Sequence, residues 1–310
     1  MPKKGAKERK SIWPFLKGVG GFVRGSFSVL ISIVFLVLIL GGVGGGTPKG
    51  NIAVIPIHGV ISGEDVPFAA TVGSDQVVKW LAQANNSEDI KAILLDINSP
   101  GGSPVASAEI ADMIQRIDKP VIAVIRESGA SGAYWIASAA DKIYANKMSM
   151  TGSIGVTAAG LAFPGLIANY NITYRRLVAG KYKDAGSPYK EMTEEELALY
   201  DNLLMQLYDE FVAVVAKNRG MTVEAVEELA TGFVYLGTEA KELGLVDELG
   251  TKQDAIDYLA KEIGEQADLA EFAPQPSLMD AFAGASAKAF YAMGKGMSAS
   301  FDQSLTLELR

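Results

Sequence analysis

From residue 52 onward, short apolar runs rich in β-branched residues alternate with longer stretches whose apolar positions recur at helical spacing. The short runs predict buried strands, and the longer stretches predict amphipathic helices. Because this alternation is typical of βαβ units that build a parallel sheet, we expect an α/β fold. The predicted strands are residues 52–57, 92–97, 121–125, 143–145 and 173–178.

Capping residues and helix breakers mark where the predicted helices begin and end. Ser74 is a candidate cap for one helix, and Pro120 cannot continue another. Thr193 forms a capping box with Glu196, just before the longest amphipathic run, which ends at Gly220. The other predicted helices are residues 74–84, 105–117, 223–229 and 238–243.

The N-terminal part of the chain has a different pattern, since residues 27–43 read FSVLISIVFLVLILGGV without a charge. With the glycines that follow, this run reaches the roughly twenty residues that cross a bilayer, so we expect a transmembrane anchor over residues 26–46. Seven Lys and Arg precede it, which by the positive-inside rule keeps residues 1–25 in the cytoplasm. A cleaved signal peptide and a buried core helix are the alternative interpretations.

Composition limits the chemistry available to the rest of the chain. Its 310 residues are 49% hydrophobic and 21% charged, which provides for a sizeable core and excludes wholesale disorder. No cysteine is present, so disulfides and thiol nucleophiles are excluded, and the single histidine, His58, excludes a multi-histidine metal site. Residues 47–310 carry 21 Lys and Arg against 35 Asp and Glu, so we do not expect nucleic-acid binding.

Two segments at the ends of predicted strands have the composition of an anion-binding site. The first, residues 92–102, reads AILLDINSPGG and runs from a strand into a turn with two glycines. Their N–H groups can approach an anion closely, either a phosphate or the oxyanion of an acyl transfer. The GxxxxGK[ST] pattern of phosphate loops is absent, and a plain tight turn is the alternative.

The second segment follows the predicted strand 121–125 and surrounds Ser131 with glycine and alanine. Ser131 is predicted to lie at a strand-to-helix turn, with the Gly132 N–H directed toward the same place as the glycine loop. This arrangement resembles a nucleophile elbow, although the GxSxG spacing is absent. Helix capping is the alternative role for Ser131.

A serine nucleophile needs a base, and histidine is the usual one. His58 lies in a strand-like run, where a structural role is common. The other available base is a lysine whose pKa is lowered by burial. Lys181, Lys183 and Lys190 all lie in the loop 179–193, and the loop by itself does not choose among them.

Together these segments resemble the signal peptide peptidase A family of membrane-anchored serine proteases, within the ClpP/crotonase-like superfamily. The resemblance covers roughly residues 52–263, with one anchor and one catalytic unit, as in the shorter members. It is carried by DINSPGGS (96–103), ESGASGAYWIASAADKIYA (127–145), TGSIGV (151–156) and GKYKDAGSPYKEMT (180–193). It implies a ClpP/crotonase-like fold of repeated βαβ units and a Ser/Lys dyad. In such a dyad a lysine takes the place of the histidine that usually activates a serine nucleophile.

The family's functional residues fall on particular positions of this sequence. The resemblance implies that Ser131 is the nucleophile and that Lys183, shortly before a proline and the long helix, is the general base. Ser153 is expected to orient that lysine, although its TGSIG segment is also compatible with a tight turn. Gly102 and Gly132 are expected to donate the oxyanion N–H groups. In related ClpP-type sequences the oxyanion glycine is the second of the pair and lies 29 residues before the serine, as Gly102 does before Ser131.

The resemblance also implies a function, a location and an assembly. We expect a serine endopeptidase that degrades cleaved signal peptides in or near the cell membrane, without metal or organic cofactor. The protease domain over residues 47–273 would lie outside the cytoplasm, followed by a C-terminal tail over 274–310. We also expect a homo-oligomer, because the family forms rings.

Three other functions stay open at this point. The same dyad would serve a quality-control protease that degrades misfolded or membrane-associated proteins. Paired loop N–H groups would also polarise the thioester carbonyl in a crotonase-like acyl-CoA enzyme. A membrane-tethered scaffold that keeps the fold without activity is the last alternative.

Overall fold

A mostly parallel eight-stranded sheet forms the centre of the protein in a computed structural model that describes residues 48–64 and 69–273. The strands are β1 (Ile52–His58), β2 (Val60–Ser62), β3 (Thr71–Gly73), β4 (Ala92–Ser99), β5 (Val121–Ala130), β6 (Lys142–Ala145), β7 (Met150–Gly152), β8 (Val234–Leu236), β9 (Glu248–Leu249) and β10 (Leu269–Glu271). Six parallel strands follow the order β10-β1-β4-β5-β6-β9. β7 adds to β5 in parallel, β8 pairs with β7 antiparallel, and β2 and β3 form a separate small sheet.

Helices cover both faces of the sheet, as a parallel sheet requires. The helices are α1 (Ser74–Asn86), α2 (Pro104–Ile114), α3 (Gly132–Ser138), α4 (Pro164–Asn169), α5 (Glu194–Arg219), α6 (Val223–Leu229), α7 (Gly237–Glu242) and α8 (Lys252–Ile263). Buried side chains of α1, α2 and α3 pack on one face, and those of α8 pack on the other. The α/β prediction is therefore confirmed.

Alternation along the central strands explains why the core has two halves. In β4, Ile93 and Leu95 belong to the cluster under α1–α3, whereas Leu94 belongs to the cluster under α8. Successive side chains of a strand point to opposite faces, and every one of these residues is fully buried. The strand therefore appears in the sequence as a continuous apolar run.

Two of the local predictions are wrong. Residues 173–178 form no strand, because the segment has no neighbouring strand to pair with and lies exposed, with Leu177 at 93%. Ser74 does not cap α1, since its hydroxyl donates to Glu109 Oε2 at 2.6 Å and Gly73 is the capping residue. The capping box of Thr193 is confirmed, with Glu196 N–H donating to its hydroxyl at 3.2 Å.

The predicted cytoplasmic segment 1–25, the anchor 26–46 and the tail 274–310 lie outside the described residues. Within residues 48–64 and 69–273, no helix combines the length and the apolar character needed to cross a membrane. The domain boundaries stay predictions.

A buried carboxylate joins several elements at the carboxyl end of the sheet. Asp96 of β4 accepts a hydrogen bond from Lys252 Nζ of α8 at 2.9 Å and one from Arg126 of β5 at 3.3 Å. The ring of His58, from β1, lies 3.8 Å away. Burial by itself would raise the pKa of Asp96, but the interactions with His58, Lys252 and Arg126 outweigh it and hold the pKa well below its usual value of 3.8.

This cluster predicts a pH-dependent contribution to stability. Asp96→Asn should lower the free energy of unfolding by about 2 kcal/mol at neutral pH, because hydrogen bonds to a charged acceptor are lost. Since the folded-state pKa is depressed, the contribution is fully present above about pH 5 and declines as the pH falls through 3.8 and below. Urea unfolding at several pH values measures it, with exposed Asp112→Asn as the control. An equal loss at pH 3 and pH 7 would contradict the prediction.

Candidate active site

Ser131 lies at a sharp turn between β5 and α3, with φ 53° and ψ −127°. A side chain at positive φ is strained, and the surrounding hydrogen bonds hold it in place. The Ser131 N–H donates to the Gly152 carbonyl at 2.8 Å, and its own carbonyl accepts from Tyr134 N–H at 2.8 Å and Trp135 N–H at 3.0 Å. The predicted strand-to-helix turn is confirmed.

The glycine loop after β4 passes directly beside this turn. Gly101 has φ 100°, and a Cβ at this position would lie 2.8 Å from the Gly132 nitrogen and 2.8 Å from Ser131 Cβ. Only glycine therefore fits this close approach of two backbones. The buried Ser99 hydroxyl fixes the loop by accepting from the Gly101 N–H at 3.1 Å.

Two N–H groups beside Ser131 are available to a ligand. Among the residues that the structure describes, neither the Gly102 nor the Gly132 N–H donates to an acceptor. The two groups are near each other, since a Cβ built on Gly132 would lie 3.4 Å from the Gly102 nitrogen. This is the donor arrangement that stabilises a developing oxyanion.

Ser153 shares a cavity of about 270 Å³ with Ser131. It directly follows β7, has φ 51°, and donates its hydroxyl hydrogen bond to the Gly232 carbonyl at 3.0 Å. Thr157, Thr231 and Tyr208 of α5 also line the cavity. The cavity thus combines the candidate nucleophile with hydroxyl and carbonyl oxygens that can receive an amine.

The three candidate lysines differ in their partners. Lys181 and Lys190 form ion pairs with Glu195 and Glu196, each at 2.6 Å. The hydrogen bond to Glu195, together with one to Tyr182, raises the pKa of Lys181 to about 12, which disfavours a neutral amine. Within the described part of the chain, no carboxylate pairs with the third lysine, Lys183.

Lys183 itself does not lie in the Ser131 cavity. It belongs to an exposed arm, residues 155–193, whose helical content is the single turn-and-a-half of α4. The arm is held by internal contacts, among them Arg176 Nε to Asp184 at 2.7 Å, and by contacts with α5, such as the Tyr200 hydroxyl to the Ala185 carbonyl at 3.1 Å. The structure thus brings Ser131 together with Ser153, Gly102 and Gly132, but it does not bring Lys183 to them.

His58 is not placed to act on Ser131. It lines a separate crevice of about 500 Å³, which Arg126 and Lys252 also line and Ser131 does not. Its ring is half exposed and faces Asp96. A Ser-His-Asp triad therefore has no geometric support.

Sequence reasoning missed the side chains that hold the backbone around the site. Thr151 of β7 is fully buried and donates its hydroxyl hydrogen bond to the Gly129 carbonyl at 2.8 Å, two residues before Ser131. The sequence did offer one signal for Thr151, namely its position two residues before Ser153 in TGSIGV. Tyr208, which donates to the Ala230 carbonyl at 3.1 Å, gave no local signal, because it is one of many apolar positions along α5.

Comparison with known proteins places these elements in a family context. Residues 113–266 match the family model described as peptidase family S49, and residues 69–154 match the model described as Clp protease. The parallel-rich α/β sheet is consistent with a ClpP-like fold.

Curated relatives agree with these matches. A putative signal peptide peptidase SppA of Enterococcus faecium is 39% identical over 223 residues, 70% of this chain and 65% of the relative. A putative protease of Methanocaldococcus jannaschii is 38% identical over 59% of each chain. A putative protease of Synechocystis is 34% identical over 67% of this chain and 76% of the relative. The chain thus spans less than two thirds of the length of the first two.

The tight packing between α2 and α3 gives a testable prediction. A Cβ on Gly132 would overlap the Ser107 hydroxyl, so Gly132→Ala should destabilise the fold by about 1–3 kcal/mol through overpacking. Ser107→Ala removes the obstructing oxygen, so the same Gly132→Ala change should cost at least about 1 kcal/mol less in that background. Denaturant unfolding of the four proteins measures the difference, with Gly165→Ala, which meets open space, as the control. If Gly132→Ala cost the same free energy of unfolding in both backgrounds, the proposed overlap with the Ser107 hydroxyl would be contradicted.

Proposed function

The chain belongs to peptidase family S49, and from this membership we propose that it is a membrane-anchored serine endopeptidase that degrades cleaved signal peptides with a Ser131/Lys183 dyad. The observation that carries the proposal is the strained Ser131 turn beside two N–H groups that have no acceptor among the described residues. The Ser131 hydroxyl is half-buried and lies next to donors that no described residue occupies, which suits attack on a carbonyl because the donors receive the charge that develops on its oxygen.

The reaction proceeds through an acyl-enzyme. Neutral Lys183 takes the proton from Ser131 Oγ as that oxygen attacks the peptide carbonyl carbon. The N–H groups of Gly102 and Gly132 hold the oxyanion, each contributing roughly 3 kcal/mol, the magnitude known for such donors. Lys183 then gives its proton to the leaving amine as the C–N bond breaks, and it activates the water that hydrolyses the ester.

Lys183 is the preferred base because the other two lysines are occupied. Glu195 and Glu196 hold the amines of Lys181 and Lys190 in ion pairs, and the pair with Glu195 stabilises the protonated form of Lys181. In the Ser131 cavity, Ser153 would accept or donate a hydrogen bond to the Lys183 amine and so orient it. Enclosure there would desolvate the amine and favour its neutral form.

A homo-oligomer would bring the parts of the site together. The arm exposes large apolar side chains, including Leu161 at 76%, Tyr170 at 72% and Leu177 at 93%. Large exposed apolar side chains of this kind mark a surface that a partner covers. We infer that a second copy covers the arm and that the Lys183 of one copy enters the Ser131 cavity of its neighbour.

The substrate and the location follow from the anchor and from the relatives. Residues 26–46 would span the cell membrane, with the N-terminus in the cytoplasm and the peptidase domain outside it. Signal peptides are apolar and lie in or near the membrane after cleavage, where an anchored enzyme can reach them. The Enterococcus faecium relative carries the name of a putative signal peptide peptidase, which supports this substrate class.

The dyad is tested by hydrolysis of a fluorogenic Ala/Leu peptide by the full chain in detergent. Ser131→Ala and Lys183→Ala should each lower kcat on the order of 10³-fold or more, because nucleophile and base act as a unit. Lys181→Ala, the matched control two residues away, should retain activity. Wild-type activity should rise toward alkaline pH, because the proposed mechanism needs a neutral amine as its base. Persistent hydrolysis by either dyad variant would refute the mechanism.

The origin of the lysine is tested by mixing the two inactive variants. Ser131→Ala and Lys183→Ala are unfolded together and refolded together in equal amounts, so that neighbouring copies mix. If Lys183 acts on the neighbouring copy, about a quarter of the sites receive both residues and activity returns to about that fraction of wild type. Each variant refolded alone is the control. A mixture that stays inactive would show that Lys183 acts within its own chain.

A further inference from the structure

The pairing between β4 and β5 breaks just before the site. Ile97 pairs with Ile125, but the next pair along the strands is Ser99 with Gly129. Residues 126–128 of β5, here named the β5 bulge, therefore lie opposite Asn98 alone. Bulges bend a strand and re-aim the side chains beyond them, and they are frequent next to active sites.

Side chains take over the hydrogen bonds that the interrupted ladder leaves open. On the β4 side, Asn98 Oδ1 accepts from the Ser128 N–H at 3.2 Å. On the opposite side, the hydroxyl of Ser149 donates to the carbonyl of Ile125 at 3.1 Å and also contacts that of Arg126. The bulge is thus fixed from both neighbours by polar side chains.

At the end of the bulge, β5 changes its partner. Its first part pairs with β6, whereas Ser128, Gly129 and Ala130 pair with β7. Ser131 follows at the end of this second part. The orientation of the nucleophile is therefore set by where β5 resumes after the bulge.

Asn98 lies close in sequence to the glycine loop and contacts the strand that leads to Ser131. Along β4 it lies three residues before Gly101, and through its side chain it holds Ser128, three residues before Ser131. The backbone of Asn98 is itself fixed, because its carbonyl accepts from the Gly59 N–H at 3.0 Å. One side-chain hydrogen bond thus links the strand that carries the oxyanion loop to the strand that carries the nucleophile.

We propose that Asn98 is a positioning residue for the peptidase site: by holding the β5 bulge, it sets Ser131 against the Gly102 and Gly132 donors. This inference rests on the proposed function of Ser131. Misplacement of reacting atoms by about 1 Å can cost on the order of 10²-fold in rate, so a single lost restraint has a measurable effect.

The role differs from general support of the fold. Asn98 is half-buried at the wall of the crevice, outside both apolar clusters. The ladder before the bulge, from Ile93 to Ile97, does not depend on its side chain. Loss of the Asn98 acceptor should therefore alter reactivity far more than stability.

The test compares Asn98→Leu, which removes the acceptor at similar size, with Asn98→Asp, which keeps an acceptor at the same place. Asn51→Leu is the matched control, because Asn51 Oδ1 likewise accepts a backbone N–H from a neighbouring segment, that of Asp268 at 2.8 Å, at the opposite end of the sheet. For each full-chain variant we measure kcat and KM, the rate of Ser131 labelling by a fluorophosphonate, Tm, and hydrogen exchange at the Ser128 amide.

Asn98→Leu should slow labelling and lower kcat together by about 10- to 100-fold, with KM within about twofold and with faster Ser128 exchange. Asn98→Asp should stay within about threefold of wild type, and Asn51→Leu should label normally. Wild-type labelling by folded Asn98→Leu would overturn the proposal, as would equal impairment of Asn98→Asp. If the wild-type protein neither reacts with the fluorophosphonate nor cleaves the peptide, the proposed function is refuted instead. In that case hydrogen exchange still tests the role of Asn98: an unchanged exchange rate at the Ser128 amide in Asn98→Leu would show that Asn98 does not hold the β5 bulge.

Discussion

The close approach of two backbones, at Gly101 and at Gly132, is the constraint on which the site depends. A Cβ on Gly101 would press against the neighbouring nitrogen at 2.8 Å, so a glycine is needed for the loop to reach the turn at all. The approach places beside Ser131 two N–H groups that have no acceptor within residues 48–64 and 69–273. Gly132 is at a helix start, where N–H groups have no partner within the helix. Gly102 lies in a short bridge to Ile61, and the hydrogen bonds of that bridge are made by the Gly101 carbonyl and the Ser103 N–H instead.

The parallel sheet makes this approach possible. β4 and β5 are adjacent and run in the same direction, so the loop after one strand and the turn after the other emerge at the same edge. Helices on both faces bury nearly all of β4 and the first half of β5, so the regular parts of the two strands are fixed by packing on both sides. The extension of β5 along β7 then carries Ser131 past the end of the regular sheet.

The three candidate lysines differ in their carboxylate partners, and the arm that carries them is exposed. Two lysines are neutralised by glutamates at the start of the long helix, and the third is left without a carboxylate in the described part of the chain. The arm that carries all three exposes apolar side chains, as expected for a surface completed by a second copy. A catalytic lysine on such a surface would couple proteolysis to assembly, which would keep an isolated chain from cleaving proteins at random.

The sequence by itself determined the features that depend on neighbouring residues. The apolar runs of the central strands, the capping box of Thr193 and the strand-to-helix turn at Ser131 follow local rules of periodicity and capping, and the structure has them. Only the tertiary structure decided that residues 173–178 form no strand and that β5 extends to Ala130, because a strand exists only where a partner edge is present. The same holds for Asn98 and for the ion pairs of Lys181 and Lys190, since each depends on which segments the fold brings side by side.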